Sequence, residues 1–418
     1  MSDATVIQSD EFSRGWNLIL ASFIGIMTGL MALPFYTYGL FAAPLEIEFG
    51  WTRAQSQSAM LAQTIGVLGV LPFLGLVCDK YGVRRVALLS MLLFGIGFAM
   101  MSQLRGGLWQ YYLTALVFGV VGAGTLPITW TRAIIAAFDK NRGLAIGVAL
   151  MGTGITGIIA PHITNWAIET HGWRNAYLIL ASLPLLVGLP VVYLFFKQSN
   201  TGVGTQSGPQ QTLYGVTLQV ALRDYRFWLI AIGFLVISFG IGGSIPNLFP
   251  YFTGEGFGPG QAAGFLSVIG VSVMFGRVLT GFLLDRFWGP AVAALLMALP
   301  AISCLLLASG SPSVQSAYLA TILIGFAAGA EFDIIAYLAS RYFGLKHYSK
   351  IYSWLYAAFA IGAATAPALF GFGYDKLGNY NAVFSISAVL FMLGSVLLLF
   401  LGRYPVFVES EKSSVSSV

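Results

Sequence analysis

The 418 residues are 57% hydrophobic and only 9% charged, with a mean hydropathy of +0.81, whereas about a quarter of a soluble domain is charged. This excludes a soluble globular protein. The net charge of +5 reflects how lysine and arginine sort along the chain and gives no reason to invoke nucleic acid.

Apolar runs of about 20 residues recur from end to end, each long enough to cross about 30 Å of hydrocarbon at 1.5 Å per residue. They predict twelve membrane helices over 17–42, 54–78, 84–103, 108–137, 141–167, 173–196, 225–253, 260–286, 289–309, 314–343, 347–374 and 379–403. The runs are continuous rather than alternating, which selects helices over barrel strands, because lipid requires each segment to bond its own backbone. The first run is too long for a signal-peptide core and is expected to be retained.

With the N-terminus placed inside, 15 of the 21 lysines and arginines fall on the cytoplasmic side. Arg53, Arg105, Arg174 and Lys376 fall on the other side, and Arg132 and Arg277 fall within spans. The bias predicts a multi-pass protein of the inner or plasma membrane with both termini in the cytoplasm. Cys78 and Cys304 lie in different spans without ligand spacing and are expected to be small buried hydrophobes.

KQSNTGVGTQSGPQQTLYG, between spans six and seven, has the Gly, Ser, Gln and Thr content of a flexible linker. It divides the chain into an N-terminal six-helix bundle (1–197), a cytoplasmic linker (198–224) and a C-terminal six-helix bundle (225–418). Sliding one half over the other at an offset of 206 aligns Pro44 with Pro250, Gly75 with Gly281, Asp79 with Asp285, and Pro161 with Pro367 without a gap. The fold expected is all-α and integral to the membrane, with two parallel repeats and a ligand site between them near mid-depth.

The segment GLVCDKYGVRR (75–85), with Gly75, Asp79, Gly82, Arg84 and Arg85, resembles the loop between helices two and three of the major facilitator superfamily. GFLLDRFWG (281–289) repeats it with Gly281, Asp285 and Arg286. FGWTRAQSQSA at 49, FDKNRGLAIGVALMGTGI at 138, HGWRNAYLIL at 171 and GRVLTGFLLDR at 276 are similar to the monocarboxylate porter and oxalate/formate antiporter group. The resemblance implies alternating access for small organic anions, often with a proton. The chain departs from animal members in having SRGWNL where they carry an acidic-Gly-aromatic signature. It also lacks the helix-four arginine of proton-driven drug exporters, since LVFGVVGAG (116–124) is uncharged.

Arg277 stands in SVIGVSVMFGRVLTGFLLDRF, eight residues before Asp285. A charge at the bilayer centre costs about 2.5–3.5 kcal/mol on insertion scales and is tolerated where it faces a partner or a watery cavity. Guanidinium also grips a carboxylate through two parallel hydrogen bonds. In the resembling group the eighth helix supplies such an arginine for the substrate. A structural ion pair with a neighbouring acid is the competing reading.

Glu331 and Asp333 on span ten are the acids available. Two residues apart, they project about 200° from one another and cannot form one paired-carboxylate site. Asp333 continues into Tyr337, Ser340 and Arg341, a stripe suited to a wet cavity wall, whereas Glu331 shares a face with Ala327, Ile334 and Ile335, a setting suited to helix packing. Either could carry a proton, and either could simply neutralise an arginine.

Helices one, four, seven and ten line the cavity in the resembling superfamily. That brings in Tyr36 and Tyr38 beside Pro34, Arg132, which alternatively snorkels to the interface, and Asn247 between Pro246 and Pro250. Tyr352 and Tyr356, one turn apart on helix eleven, are added as wall residues. In the loop motif Gly75 is expected to allow close helix contact, Gly82 a tight turn, and Asp79 to favour the start of helix three. By resemblance Asp79 and Arg84 belong to a charge latch, and Asp285 repeats it in the second half.

No HExxH, Ser-His-Asp or GxxxxGK[ST] pattern occurs, so neither an enzyme nor ATP-driven transport is expected, and no cofactor or metal. The expectation is a secondary transporter of small monocarboxylates, with a proton as co-substrate and lipid as its surroundings. A proton-independent anion exchanger and an exporter of amphipathic compounds are the alternatives. A monomer is compatible with the sequence, which does not fix the oligomeric state.

Overall fold

The computed structural model describes residues 3–138, 142–196, 215–344 and 346–405, with the side chains of 3–11, Asp79, Ala136, Arg142, Gly143 and Ser349 left aside. The helices are α1 (Asp3–Met27), α2 (Leu33–Phe49), α3 (Arg53–Tyr81), α4 (Val83–Met101), α5 (Leu108–Gly122), α6 (Pro127–Ala137), α7 (Arg142–Leu150), α8 (Gly152–Ser182), α9 (Leu189–Phe195), α10 (Leu218–Arg223), α11 (Tyr225–Gly254), α12 (Pro259–Leu284), α13 (Gly289–Ala308), α14 (Val314–Phe343), α15 (Tyr348–Leu377) and α16 (Asn381–Leu399).

Among the described residues, ten helical segments are long and apolar enough to cross a membrane. One of them, Leu144–Phe195, holds two crossings, because Gly172 (φ 78°, ψ 162°) turns the chain inside α8 in a conformation that favours glycine. The first crossing is shared between α1 and α2. Twelve crossings result.

Local chemistry sets the ends. Thr52 and Gln55 form a reciprocal capping box at the start of α3, and Asp224 and Ser313 cap α11 and α14. Gly50 (φ 67°) and Gly378 (φ 71°) end α2 and α15 in the left-handed region.

Two crossings predicted as continuous are broken. The first opens over residues 28–32, and the fourth opens at a short 3₁₀ turn, Ala123–Thr125, before Pro127. Each break frees backbone groups that lipid cannot satisfy, and the two repair one another. The Thr125 hydroxyl accepts from Leu30 N–H at 2.9 Å and donates to the Gly122 carbonyl at 2.8 Å, while Thr156 donates to the Met27 carbonyl at 2.6 Å. Their counterparts α11 and α14 run unbroken through 30 residues each.

The apolar core of the second half is one cluster from Ala221 to Leu401 that also takes in Tyr36 and Leu40 of α2, and that of the first half is split around Phe94 and Phe118 on one side and Trp130 and Met91 on the other. The halves meet along α8–α12, along α3–α15 and where α2 crosses α11, with Gly39 against the Pro246 carbonyl. In the α8–α12 seam the backbones touch: a Cβ on Gly270 would sit 2.6 Å from Ile158 N and 2.7 Å from Gly157 C, and Ser267 donates to the Ile158 carbonyl at 2.6 Å. In the α3–α15 seam Gly371 lies against the Arg53–Ala54 peptide.

Candidate functional site

Among the described residues, every hydrogen bond between the halves lies at mid-depth or at the end that carries Arg53. The Asp375 carboxylate accepts from the first backbone N–H groups of α3, Arg53 at 3.1 Å and Ala54 at 3.0 Å. Arg53 also donates to the Tyr380 hydroxyl at 2.9 Å and lies 3.5 Å over the Tyr374 ring. Asn247 accepts from Tyr380 at 3.3 Å and from Gln57 at 3.5 Å. Toward the opposite, linker end, Arg132, Arg341 and Trp354 are exposed. Among the described residues the hydrogen bonds between the halves thus gather at the Arg53 end and at mid-depth, and none lies at the linker end.

A cavity of about 180 Å³ lies at mid-depth between them. The broken first and fourth crossings contribute Leu30, Met31 and Leu126, with Phe35 and Tyr36 just beyond. α3 adds Gln63 and Thr64, and α14 and α15 add Glu331, Phe332, Tyr356 and Phe359. The breaks thus coincide with the cavity wall, where irregular backbone is tolerated at membrane depth.

Arg277 donates from one terminal nitrogen to Asp333 Oδ1 at 3.2 Å, with its side chain 9% exposed and that of Asp333 32% exposed. Its Nε is buried with no hydrogen-bond partner among the described residues, and the same holds for Glu331 Oε2. Tyr36 lies within electrostatic reach of both Glu331 and Arg277. Val273, one turn before Arg277, lines the cavity. The arrangement is a guanidinium with donors to spare, one acid engaged on it, and a second acid facing the hollow.

The two acids keep the exposure that helical spacing suggests, Glu331 buried at 5% and the Asp333 side chain 32% exposed, but it is Glu331 that lines the cavity and Asp333 that turns to Arg277. The cavity wall here is apolar: Ala328 and Phe332 share it with Glu331. A face of small and aromatic residues therefore does not distinguish packing from lining.

The other anticipated residues divide. Tyr36 and Tyr356 line the cavity. Tyr352 stacks between Tyr348 at 5.5 Å and Tyr356 at 6.3 Å, within reach of Asp333 and Arg277. Tyr38 turns into its own half and donates to Gln63 Oε1 at 3.0 Å. Asn247 is in the closed Arg53 end rather than the cavity, with its amide also on the Gly243 carbonyl at 2.8 Å. Arg132 is exposed, reaching the Gly75 carbonyl at 3.4 Å.

The loop motif also differs from expectation. α3 continues to Tyr81, so Asp79 belongs to the last turn of that helix and not to the start of the next; its side chain lies outside the described residues. Gly82 (φ 84°) makes the turn. A Cβ on Gly75 would meet nothing within 4 Å, so no close helix contact exists there in this conformation. Arg84 donates to the Tyr193 carbonyl at 2.6 Å within its own half, and Asp285 is exposed at the end of α12.

Sequence reasoning missed Thr125, which ties the two breaks together, and the Asp375–Arg53 contact across the halves. The run GAGTLP (122–127), with two glycines and a proline inside an apolar span, is the signal that could have found the first.

The Major Facilitator Superfamily model matches residues 18–347 and 291–416. Monocarboxylate transporter 13 of Bos taurus is 25% identical over 406 residues, covering 93% of this chain and 90% of its own. Monocarboxylate transporter 11 of Homo sapiens is 23% identical over 398 residues, covering 93% and 83%. Among solved structures, a bacterial homologue of the human lysosomal transporter Spinster is similar in two inward-facing conformations. The unoccupied form has a TM-score of 0.70 at 17% identity, covering 94% of this chain and 99% of that one, and the occupied form a TM-score of 0.69 at 16% identity, covering 92% and 95%. With the family model spanning nearly the whole chain and the helices arranged as described, the protein belongs to the major facilitator superfamily, a multi-pass membrane transporter and not an enzyme.

Proposed function

We propose that the protein carries small organic monocarboxylates together with a proton, by rocking its two halves around the mid-depth cavity. The observation that carries this reading is the Arg277–Asp333 pair at 3.2 Å with Arg277 Nε left without a partner. In the empty protein the carboxylate holds one edge of the guanidinium. A proton on Asp333 removes that negative charge and frees the guanidinium to receive a substrate carboxylate through two parallel hydrogen bonds. Anion and proton then cross as a neutral pair, and Glu331, facing the hollow, is the second place where the proton can rest. The names of the curated relatives support the substrate class. The distribution of lysine and arginine puts the linker end in the cytoplasm.

The test is uptake into proteoliposomes with an inward proton gradient. Electroneutral uptake that quickens on outside acidification is expected. Arg277→Lys is expected to raise KM at least tenfold, because an ammonium cannot grip bidentately, and Asp333→Asn to flatten the pH dependence. Counterflow that persists with the gradient collapsed would instead identify a proton-independent exchanger. Normal KM in Arg277→Lys overturns the carboxylate grip.

One observation favours a second reading. Glu331 is the sole charged residue lining the cavity among the described residues, which suits an amphipathic cation. Saturable binding of uncharged or cationic amphipaths that Glu331→Gln abolishes and Arg277→Ala spares would select it.

A further inference from the structure

Resting on the carboxylate reading above, we infer that the substrate is a monocarboxylate with a body the size of an aromatic ring, and that Phe332 and Phe359 set this preference. The volume is the first argument. An apolar cavity of about 150 Å³ holds a benzene ring, and this one measures about 180 Å³, room for a ring and a short carboxylate arm. A three-carbon acid would leave most of its apolar wall against water.

The wall is the second argument. Phe332 and Phe359 meet at 4.8 Å, and Tyr356 continues the surface 5.9 Å from Phe359. Across the cavity Phe35 and Tyr36 meet edge to face at 5.4 Å. These rings are already packed on one another, and together they give the cavity an aromatic lining against which a further ring can lie.

The charges are the third argument, because the lining hydroxyls of the seryl and threonyl side chains already donate to backbone and one cation stands nearby. Ser238 donates to the Phe359 carbonyl at 2.8 Å, Thr64 to the Met60 carbonyl at 2.9 Å, and Thr153 to the Leu150 carbonyl at 2.9 Å. The Gln63 oxygen is taken by Tyr38. Arg277 is the cation beside the cavity; Arg132 is exposed on the Gly75 carbonyl and Arg53 is engaged at the closed end. A second carboxylate would enter an apolar wall with Glu331 in it and no further cation, which disfavours dicarboxylates.

The test is ligand-induced thermal stabilisation and calorimetric titration of the purified full chain with phenylacetate, benzoate, lactate, succinate and benzyl alcohol. Phenylacetate or benzoate is expected to bind about tenfold or more tightly than lactate, from the added apolar area buried, with succinate weaker still. Phe332→Ala and Phe359→Ala are expected to weaken the aromatic acids about tenfold and lactate by less than about twofold; Phe332→Leu serves if the alanine variant does not fold. Lactate or succinate binding as well as phenylacetate overturns the inference and leaves the carboxylate reading intact. Benzyl alcohol binding as well as phenylacetate, or no carboxylate binding at all, overturns the carboxylate reading and with it the inference.

Discussion

Asp375→Ala should open the closed end. Asp375 accepts two backbone N–H groups at 3.1 and 3.0 Å from the first turn of α3, so one half supplies the cap for a helix of the other. Losing a cap costs about 0.5–2 kcal/mol, and a carboxylate near a helix start adds about 0.3–1 kcal/mol that solvent exposure keeps at the low end. The closed form thus loses about 1–2 kcal/mol relative to the open one, while the contacts of Arg53 with Tyr374 and Tyr380 remain. A loss of that size changes the ratio of the two forms about 5–30-fold. If the open form begins near one part in a hundred, it becomes visible in a distance distribution. Spin labels on Ile47→Cys and Leu377→Cys report it, because both positions are well exposed at this end, at 86% and 56%, and the native Cys78 and Cys304 are buried. A longer-distance population should grow in Asp375→Ala and grow less in Asp375→Asn, which keeps an acceptor. Identical distributions in all three proteins would refute the idea that this cap holds the halves together.

Three further outcomes follow from described contacts. Gly270→Ala places a methyl against Ile158 N and Gly157 C, and such overpacking should cost about 1–3 kcal/mol, read as a lowered melting temperature, whereas Gly281→Ala, with open space around it, should be neutral. Thr125→Val strands the buried Leu30 N–H and should cost about 1–3 kcal/mol, with Thr125→Ser recovering most of it; equal melting of valine and serine variants would sink the cross-bracing account. At the exposed end of α2, Glu48 accepts from Trp173 Nε1 and pairs with Arg174, both at 2.5 Å, and these bonds, the tryptophan's first, hold its carboxyl below the usual range. A carboxyl so lowered contributes its stability above its unfolded value and loses it as pH falls through the folded one. The stability gap between the parent and Glu48→Gln should therefore be full at neutral pH and close as pH drops below about 4. A gap unchanged by acid would contradict the assignment.

The membrane crossings were legible because length and apolarity are one-dimensional quantities, and Arg277 because a charge in such a run has few tolerable surroundings. Its pairing with Asp333 was within reach of the same logic. The faces of α14 were not. Glu331 lines a hollow walled by alanine and phenylalanine, and the residue types around a largely apolar cavity are those of a packed helix. Asn247 misled for a related reason: the prolines beside it signal irregular packing, but only three-dimensional closure places it against Gln57 and Tyr380. Asp79 was displaced by two residues of helix, since α3 runs on to Tyr81 before Gly82 turns. The Asp375 cap was beyond sequence altogether, because its partners are main-chain groups more than 300 positions away.

The α8–α12 and α3–α15 seams differ in what they can yield. Along α8 and α12 the chains meet with glycine on both sides, Gly154 and Gly157 against Gly270, so that backbone lies against backbone with Met274 and Ser267 as the side chains at its edges. In the proposed rocking this line yields least, and it serves as a fulcrum. Displacement then grows with lever arm, and the widest swing falls on the opposite flank, where α3 and α15 are fastened end to end by Asp375. A weak tether at the greatest radius restrains a rigid body as effectively as a strong one near its axis.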